Sequence, residues 1–455
     1  MSGIAGIAGA GRQRDVQRML NRIAHRGGGG QAVFEIDGVT LGVVRTRAQA
    51  ARPAKTSAPV HDYVGDGHYA EARVIDRRLH LARDPLGVSP LYYGRADDGA
   101  LCFASEVKAM LEITRGIREL PPGHRFDGET ADAHAPPAGG QALVQEQPPL
   151  DDPPLVMVKA LRGRLETAVR KCICEAAAGA WLSGGLDSST MAALARPHVS
   201  KLCTFAAGMR GAPDLEYARQ VARHLQSEHR EVVVTLDQML AVLPKVIYHL
   251  ESFDALLVRS SITNYLVAKL AAEYVPEVFS GEGGDELFAG YEYLKSLPQE
   301  QLPAELVDIT SRLHNTALQR VDRSASAHGL VAHVAFLDPE VVDYALRIPA
   351  ELKIRDGVEK WILRRAMDGL LPESVLNRRK AKFWEGAGVG GLMAQHADER
   401  IGDDEFRRER RLPNGWILNT REELMYCRIF REHFGDLADL SWMGRTKGAP
   451  SIDVS

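Results

Sequence analysis

Two kinds of hydrophobic patterning divide this chain. Up to about residue 126, apolar residues fall in short runs, at 31–36, 40–44, 79–83 and 91–93, broken by Gly, Pro and Asp. Such runs predict strands. Residues 127–154 are dominated by Ala, Pro, Gly, Gln and Asp, with Pro136-Pro137-Ala138-Gly139-Gly140 and Pro148-Pro149 inside them. That composition buries little and predicts a linker. Beyond it the pattern alternates. A helix near 154–174 leads to a strand at 178–182, and a strand at 202–207 to a helix at 214–225. A strand at 231–235 leads to a helix at 236–250, and a helix near 261–273 to a strand at 277–280. From about Pro298 the segments read as helical, with amphipathic spacing at 304–317 and 358–369. Alternating strands and helices predict a parallel sheet covered on both faces. The expected fold class is therefore α/β: a parallel-sheet domain over 155–455, preceded by a β-rich domain over 1–126 and a linker over 127–154.

The bulk numbers narrow the class without naming it. At 455 residues, 45% hydrophobic and 25% charged, with a formal net charge of -4, the chain reads as an ordinary globular protein of two or three domains. It carries no basic footprint for nucleic acid, no apolar run near the roughly 20 residues of a membrane span, and no secretory layout at its start. The cysteines, Cys102, Cys172, Cys174, Cys203 and Cys427, are odd in number and scattered. They predict buried thiols in a reducing cytoplasm rather than a disulfide framework or a zinc site.

Trp181-Leu182-Ser183-Gly184-Gly185-Leu186-Asp187-Ser188-Ser189 carries the densest chemistry. It reads as a buried strand, a tight turn and a helix start. Two glycines let the backbone turn and approach a ligand, and the free N–H groups with three serine hydroxyls make a socket for an anion. Asp187 sets a carboxylate where magnesium on phosphate oxygens would sit. No Gly-Lys-Ser/Thr ending is present, so this is not a Walker loop. A second cluster, Ser280-Gly281-Glu282-Gly283-Gly284-Asp285-Glu286-Leu287-Phe288-Ala289-Gly290-Tyr291, also follows a strand and opens a helix. Three acids in five residues repel one another unless a cation shares them.

The first loop resembles the SGG-x-DS loop of ATP pyrophosphatases, and the two clusters together resemble asparagine synthetases. The related amide-forming enzymes, β-lactam synthetases and lasso-peptide cyclases, share these features. The match extends through Thr204-Phe205-Ala206-Ala207-Gly208-Met209, Pro213-Asp214-Leu215 and Glu251-Ser252-Phe253-Asp254 with Arg259. It then runs through Glu359-Lys360-Trp361-Ile362-Leu363-Arg364 and Leu371-Pro372 to Arg379-Lys380. The resemblance implies an ATP pyrophosphatase-type domain in which Leu182, Ser183, Gly184, Gly185, Asp187, Ser188, Ala207, Ser280 and Gly281 bind ATP. Asp187 and Asp285 would hold Mg2+, and Glu282 would be the acid of the acyl-adenylate step. Lys380, with Lys360 as second choice, is the lysine expected to steady the leaving pyrophosphate. Arg259 is expected either to hold a substrate carboxylate or to pair with Glu251 or Asp254.

The start of the chain, Met1-Ser2-Gly3-Ile4-Ala5-Gly6-Ile7 and His25-Arg26-Gly27-Gly28, resembles the glutaminase domain of those synthetases. So do residues 82–94 and Phe103-Ala104-Ser105-Glu106-Val107-Lys108. Ser2 stands where the family has a nucleophilic cysteine. Between Arg45 and Leu81 the chain lacks the Asn-Gly-Glu-x-Tyr-Asn and Ser/Thr-Asp-x-Glu segments that hold glutamine. A truncated N-terminal-nucleophile-type domain without glutamine hydrolysis is the expectation. The leading function is ATP-dependent amide synthesis through an acyl-adenylate, with aspartate and ammonia as substrates. A second possibility is the same chemistry on another acid or amine, as in β-lactam or lasso-type ring closure. A third is a nucleotide-binding protein without catalysis. A homodimer is left open.

Overall fold

The computed structural model describes residues 2–50, 60–65, 67–133, 148–173, 175–379 and 386–446. The N-terminal part is a pair of antiparallel sheets. One has six strands in the order Gln31–Ile36, Val39–Val44, Gly3–Ile7, Leu101–Ala104, Tyr92–Arg95 and Ile117–Glu119. The other has five: Ala131–Ala133, His124–Phe126, Arg78–Arg83, His68–Ile75 and Val60–Gly65. Strand alternation explains how they stack. Ile4 turns with Leu41, Val43 and Phe103 toward Ala70, Ala72 and Leu81 of the second sheet. Ala5 and Ile7 turn the other way, onto Val16, Met19 and Leu20 of helix Gln13–Arg22, and merge with the core of the C-terminal part.

Part of the stretch expected as a linker is ordered into the second sheet. Ala131–Ala133 pairs with His124–Phe126 as an edge strand, because a three-residue pairing needs only backbone and tolerates exposed side chains. Residues 134–147 lie outside the described residues. The chain docks again at Leu150, whose N–H donates to the Arg347 carbonyl at 3.0 Å, before helix Pro154–Cys172.

The C-terminal sheet is wholly parallel, in the order Glu228–Val233, Lys201–Gly208, Ala177–Trp181, Glu277–Phe279, Val331–His333. The first strand in sequence therefore sits in the middle. The chain winds outward from it to one side, then returns and continues on the other. This reversal opens a crevice between the carboxyl ends of Ala177–Trp181 and Glu277–Phe279, the place where doubly wound sheets bind ligands. Both dense clusters begin at those two strand ends.

Helix Leu236–Leu250 lies where the pattern predicts it, with Thr235 as N-cap in a capping box with Gln238. Helix Ala255–Ala272 starts earlier than expected. Its first two turns include buried Ala255, Leu257, Val258, Ser260 and Ser261, so no polar stripe marks them. Asp254 caps it, accepting from the Leu257 N–H at 2.9 Å. The segment around 304–317 is two helices, Leu302–Ser311 and Ala317–Ser326, joined by a short turn at Leu313–Asn315. The fifth strand, Val331–His333, is too short to show a period. Among the described residues no helix is long and apolar enough to cross a membrane.

Candidate active site

The loop after Ala177–Trp181 is held by its own serines. The Ser183 N–H donates to Ser188 Oγ at 3.2 Å, the two hydroxyls lie 3.1 Å apart, and Ser188 Oγ donates to the Gly185 carbonyl at 3.2 Å. Gly184 takes φ 67°, and a Cβ there would lie 2.4 Å from Tyr217 Cβ. The turn therefore needs glycine for both its backbone and its space. Arg378 braces the loop from outside. It donates to the Ser183 carbonyl at 3.2 Å, lies 4.1 Å over the Tyr217 ring and pairs with Asp214.

The loop after Glu277–Phe279 packs directly on the first. A Cβ on Gly281 would stand 2.7 Å from the Ser188 nitrogen, and one on Gly284 2.6 Å from the Asp187 carboxyl carbon. The glycine pattern is thus a packing requirement of two loops pressed together at the crevice. Their contact brings Asp187 and Asp285 to one ammonium: Lys360 Nζ lies 2.5 Å from Asp187 Oδ2 and 2.6 Å from Asp285 Oδ1. Lys360 is 2% exposed and sits at φ 55°, left-handed for a non-glycine residue, as the cap of helix Trp361–Ala366. Such a backbone costs about 1–3 kcal/mol and persists where the surroundings fix it. Here the two carboxylates do so.

Glu282 pairs with Arg320 of helix Ala317–Ser326. Glu286 is buried and accepts the Tyr291 hydroxyl. Burial, with help from the neighbouring Asp285, pushes its carboxyl up to about 7. These groups edge a cavity of about 670 Å³ whose lining includes Leu182, Ser183, Gly185, Asp187, Ser188, Ala207, Ser280, Gly281, Glu282 and Asp285. The lining also includes apolar Leu256, Leu257, Ile309, Leu313 and Ala317.

Three expectations need restating. Lys380 lies outside the described residues; Lys360, the second choice, stands between the two aspartates. Neighbouring Arg379 lines the cavity. Arg259 is not brought to the cavity wall and pairs with neither Glu251 nor Asp254. Glu422 of helix Arg421–Phe434 takes it, and also accepts the Tyr426 hydroxyl at 2.8 Å. Glu251 and Asp254 have other partners, Arg323 at 3.0 Å and the Leu257 N–H. Gly184 shapes the loop from behind and is not part of the lining. Sequence reasoning missed Arg320 and the Tyr291–Glu286 contact. Arg320 sits in a helix with no motif, and only an acid at the cavity reveals it.

In the N-terminal half Ser2 is 2% exposed. Its hydroxyl and N–H both donate to Asp62 Oδ1, at 2.8 and 2.9 Å, and its carbonyl accepts from Arg26 Nε at 2.6 Å.

The comparisons agree with this geometry. The asparagine synthase family profile matches residues 160–313 and 299–448, and a glutamine amidotransferase domain profile matches 62–112. A probable glutamine-hydrolysing asparagine synthetase of Schizosaccharomyces pombe is 37% identical over 78% of this chain and 70% of its own length. Glutamine-hydrolysing asparagine synthetase 2 of Arabidopsis thaliana is 33% identical over 84% of this chain and 68% of its own. A solved NMN synthetase from Francisella tularensis covers 64% of this chain and 98% of its own at a TM-score of 0.30 and 12% identity, too slight a likeness to add weight. The profile spans more than half of the sequence, and the site it covers is the crevice described above: the chain belongs to the asparagine synthase family.

Proposed function

We propose that the protein is an AMP-forming ligase that adenylates a carboxylic acid with ATP and passes the acyl group to an amine. Aspartate and ammonia are the leading pair, giving asparagine, AMP and pyrophosphate. The observation that carries this reading is Lys360 between Asp187 and Asp285 at the crevice of the parallel sheet. A carboxylate attacking the α-phosphorus meets a negative triphosphate, and a fixed ammonium with loop N–H groups offsets that repulsion. Lys360, the second choice from sequence, would supply that ammonium; Lys380, the first choice, lies outside the described residues. Glu282, held by Arg320, would receive a proton from the amine or hold an ammonium ion beside the acyl carbon.

The donor chemistry supports magnesium arriving with ATP. Among the described residues Asp187 and Asp285 share Lys360, and Glu282 pairs with Arg320. Among the described residues no group of three or more His, Cys, Asp or Glu is arranged to hold a metal ion. Two carboxylates plus phosphate oxygens form the usual magnesium donor set. Asp187 and Asp285 would hold it, and it would neutralise charge on the departing pyrophosphate.

Glutamine hydrolysis is not part of the proposal. The Ser2 hydroxyl is buried and directed at Asp62, and the glutamine-holding segments are missing from 45–81. Ammonia then comes from solution or from another protein. A cytoplasmic setting goes with this reading. A second acid or amine is favoured by one observation: the wall at Leu256, Leu257, Ile309 and Leu313 offers apolar surface that aspartate would leave uncovered.

The test is an ATP-dependent pyrophosphate-release assay with AMP quantified. Aspartate plus ammonium, aspartate plus glutamine and a panel of apolar amino acids are compared. Turnover with ammonium but not glutamine is expected. ADP as product would overturn the reading, and turnover with an apolar acid alone would select the second.

A further inference from the structure

The buried charges of the N-terminal half are built into the two helices that wall the cavity. Arg26 sends its two terminal nitrogens to Asp322, at 2.7 and 2.9 Å, and one of them also to Glu106 at 2.7 Å. Asp322 lies on helix Ala317–Ser326, two residues after the Arg320 that holds Glu282. Residues two apart point to opposite sides of a helix. That helix is therefore a plate, with the N-terminal half pinned to one face and the cavity on the other. A bidentate pair fixes rotation as well as distance.

A second pin lies nearby. Glu251 ends helix Leu236–Leu250 at φ 59° and leads through Asp254 into helix Ala255–Ala272. It accepts the N–H groups of Val107 and Lys108 at 3.1 and 2.7 Å, Lys108 Nζ at 3.0 Å and Arg323 at 3.0 Å. Helix Ala255–Ala272 carries Leu256 and Leu257 to the cavity, and it packs along helix Ala317–Ser326. All of these charged residues are at most 3% exposed, so water cannot substitute for a lost partner.

We propose that Arg26 and Lys108 are positioning residues for the synthetase cavity, and that the N-terminal half is retained as a rigid jig. It sets the Arg320–Glu282 pair and the head of helix Ala255–Ala272. This rests on reading the cavity as the synthetase site. Among the described residues no pin bonds to the Ser183–Ser188 loop, and the pins meet the second loop only through Glu282, so the coupling acts on the acyl and amine steps rather than on nucleotide affinity.

The experiment compares the full chain with Asp322→Asn and with the double variant Arg26→Met, Asp322→Leu, which removes one charge of each sign and refills the space. Kinetics of AMP formation, thermal midpoints and backbone hydrogen exchange are measured on each. In Asp322→Asn, kcat falls at least tenfold with the ATP KM within twofold, and exchange rises in Ala317–Ser326 and Gly284–Leu287. The double variant regains thermal stability but keeps the kcat deficit. Wild-type kcat in either folded variant, or raised exchange confined to the N-terminal half, overturns the proposal. If Asp322→Asn does not fold, the double variant decides alone. A wild type that makes no AMP from any acid defeats the functional reading, and the exchange pattern still decides the coupling.

Discussion

Arg26 in the N-terminal half and Lys360 in the C-terminal half are both buried cations held between carboxylates, yet only Lys360 borders open space. Around Arg26, three cations (with Lys108 and Arg323) meet four acids, Asp62, Glu106, Glu251 and Asp322. Burial pushes the Asp62 carboxyl up, which brings the set toward balance. Around Lys360, Asp187 and Asp285 share one ammonium, Glu282 pairs with Arg320, and burial beside Asp285 pushes the Glu286 carboxyl up to about 7. A balanced, closed network holds a shape. One that borders a cavity has carboxylate oxygens within reach of a ligand. Both networks are equally legitimate structure; the open side makes the second the candidate for chemistry.

The largest effect should come from Lys360. Lys360→Met removes the only ammonium shared by Asp187 and Asp285 among the described residues, and should lower AMP formation about 10²–10³-fold. A steady-state assay on folded protein checks this. Near-normal turnover would break the comparison, because the open network would then be as passive as the closed one. Gly281→Ala sharpens it further. The new methyl would stand 2.7 Å from the Ser188 nitrogen, on backbone that cannot yield, and would part the two loops. Turnover should fall about 10–100-fold, since displacements near 1 Å at a reacting centre cost that much. A thermal melt run alongside separates this loss from unfolding.

Lys353 tests what burial costs without any network. It is buried, no described residue pairs with it, and burial alone pulls its ammonium down to about 7. The unfolded chain binds that proton up to its ordinary value near 10.5, so between about pH 7 and 10.5 it holds more protons than the folded protein. The penalty is therefore full below about pH 7 and fades as pH rises through that window. Lys353→Met should stabilise the fold by about 2 kcal/mol at pH 6.5. Urea denaturation at pH 6.5 and 9.5 should show the gain shrinking at the higher pH.

The glycine-rich loops, the alternation of strands and helices, and Asp187 with Asp285 could be read from sequence because each is a local pattern with one mechanical reason. What could not be read was set by tertiary packing. The start of helix Ala255–Ala272 is buried on several sides and has no polar stripe. Val331–His333 is too short to carry a period. Arg259 resembled a carboxylate holder, but its partner Glu422 lies 163 residues away, a pairing that no local spacing encodes. Lys380 ranked ahead of Lys360 by its place in Arg378-Arg379-Lys380, and it lies outside the described residues. That Lys360 stands between the two aspartates is set by the fold of the segment before Trp361, which no local pattern announces.

The smallest effect is expected at Ser2, where the N-terminal half would act if it kept its own chemistry. Its hydroxyl donates to Asp62, which also receives the Ser2 N–H and Arg26. Ser2→Ala therefore removes one of several bonds to a buried carboxylate and should cost about 1 kcal/mol of stability. Synthesis with ammonium should be unchanged, because the pins that reach the cavity are Arg26 and Lys108 rather than Ser2. A serine that served as nucleophile would instead give glutamine-dependent turnover in the wild type that vanishes in Ser2→Ala. The two predictions part cleanly in one experiment with glutamine and ammonium as alternative donors.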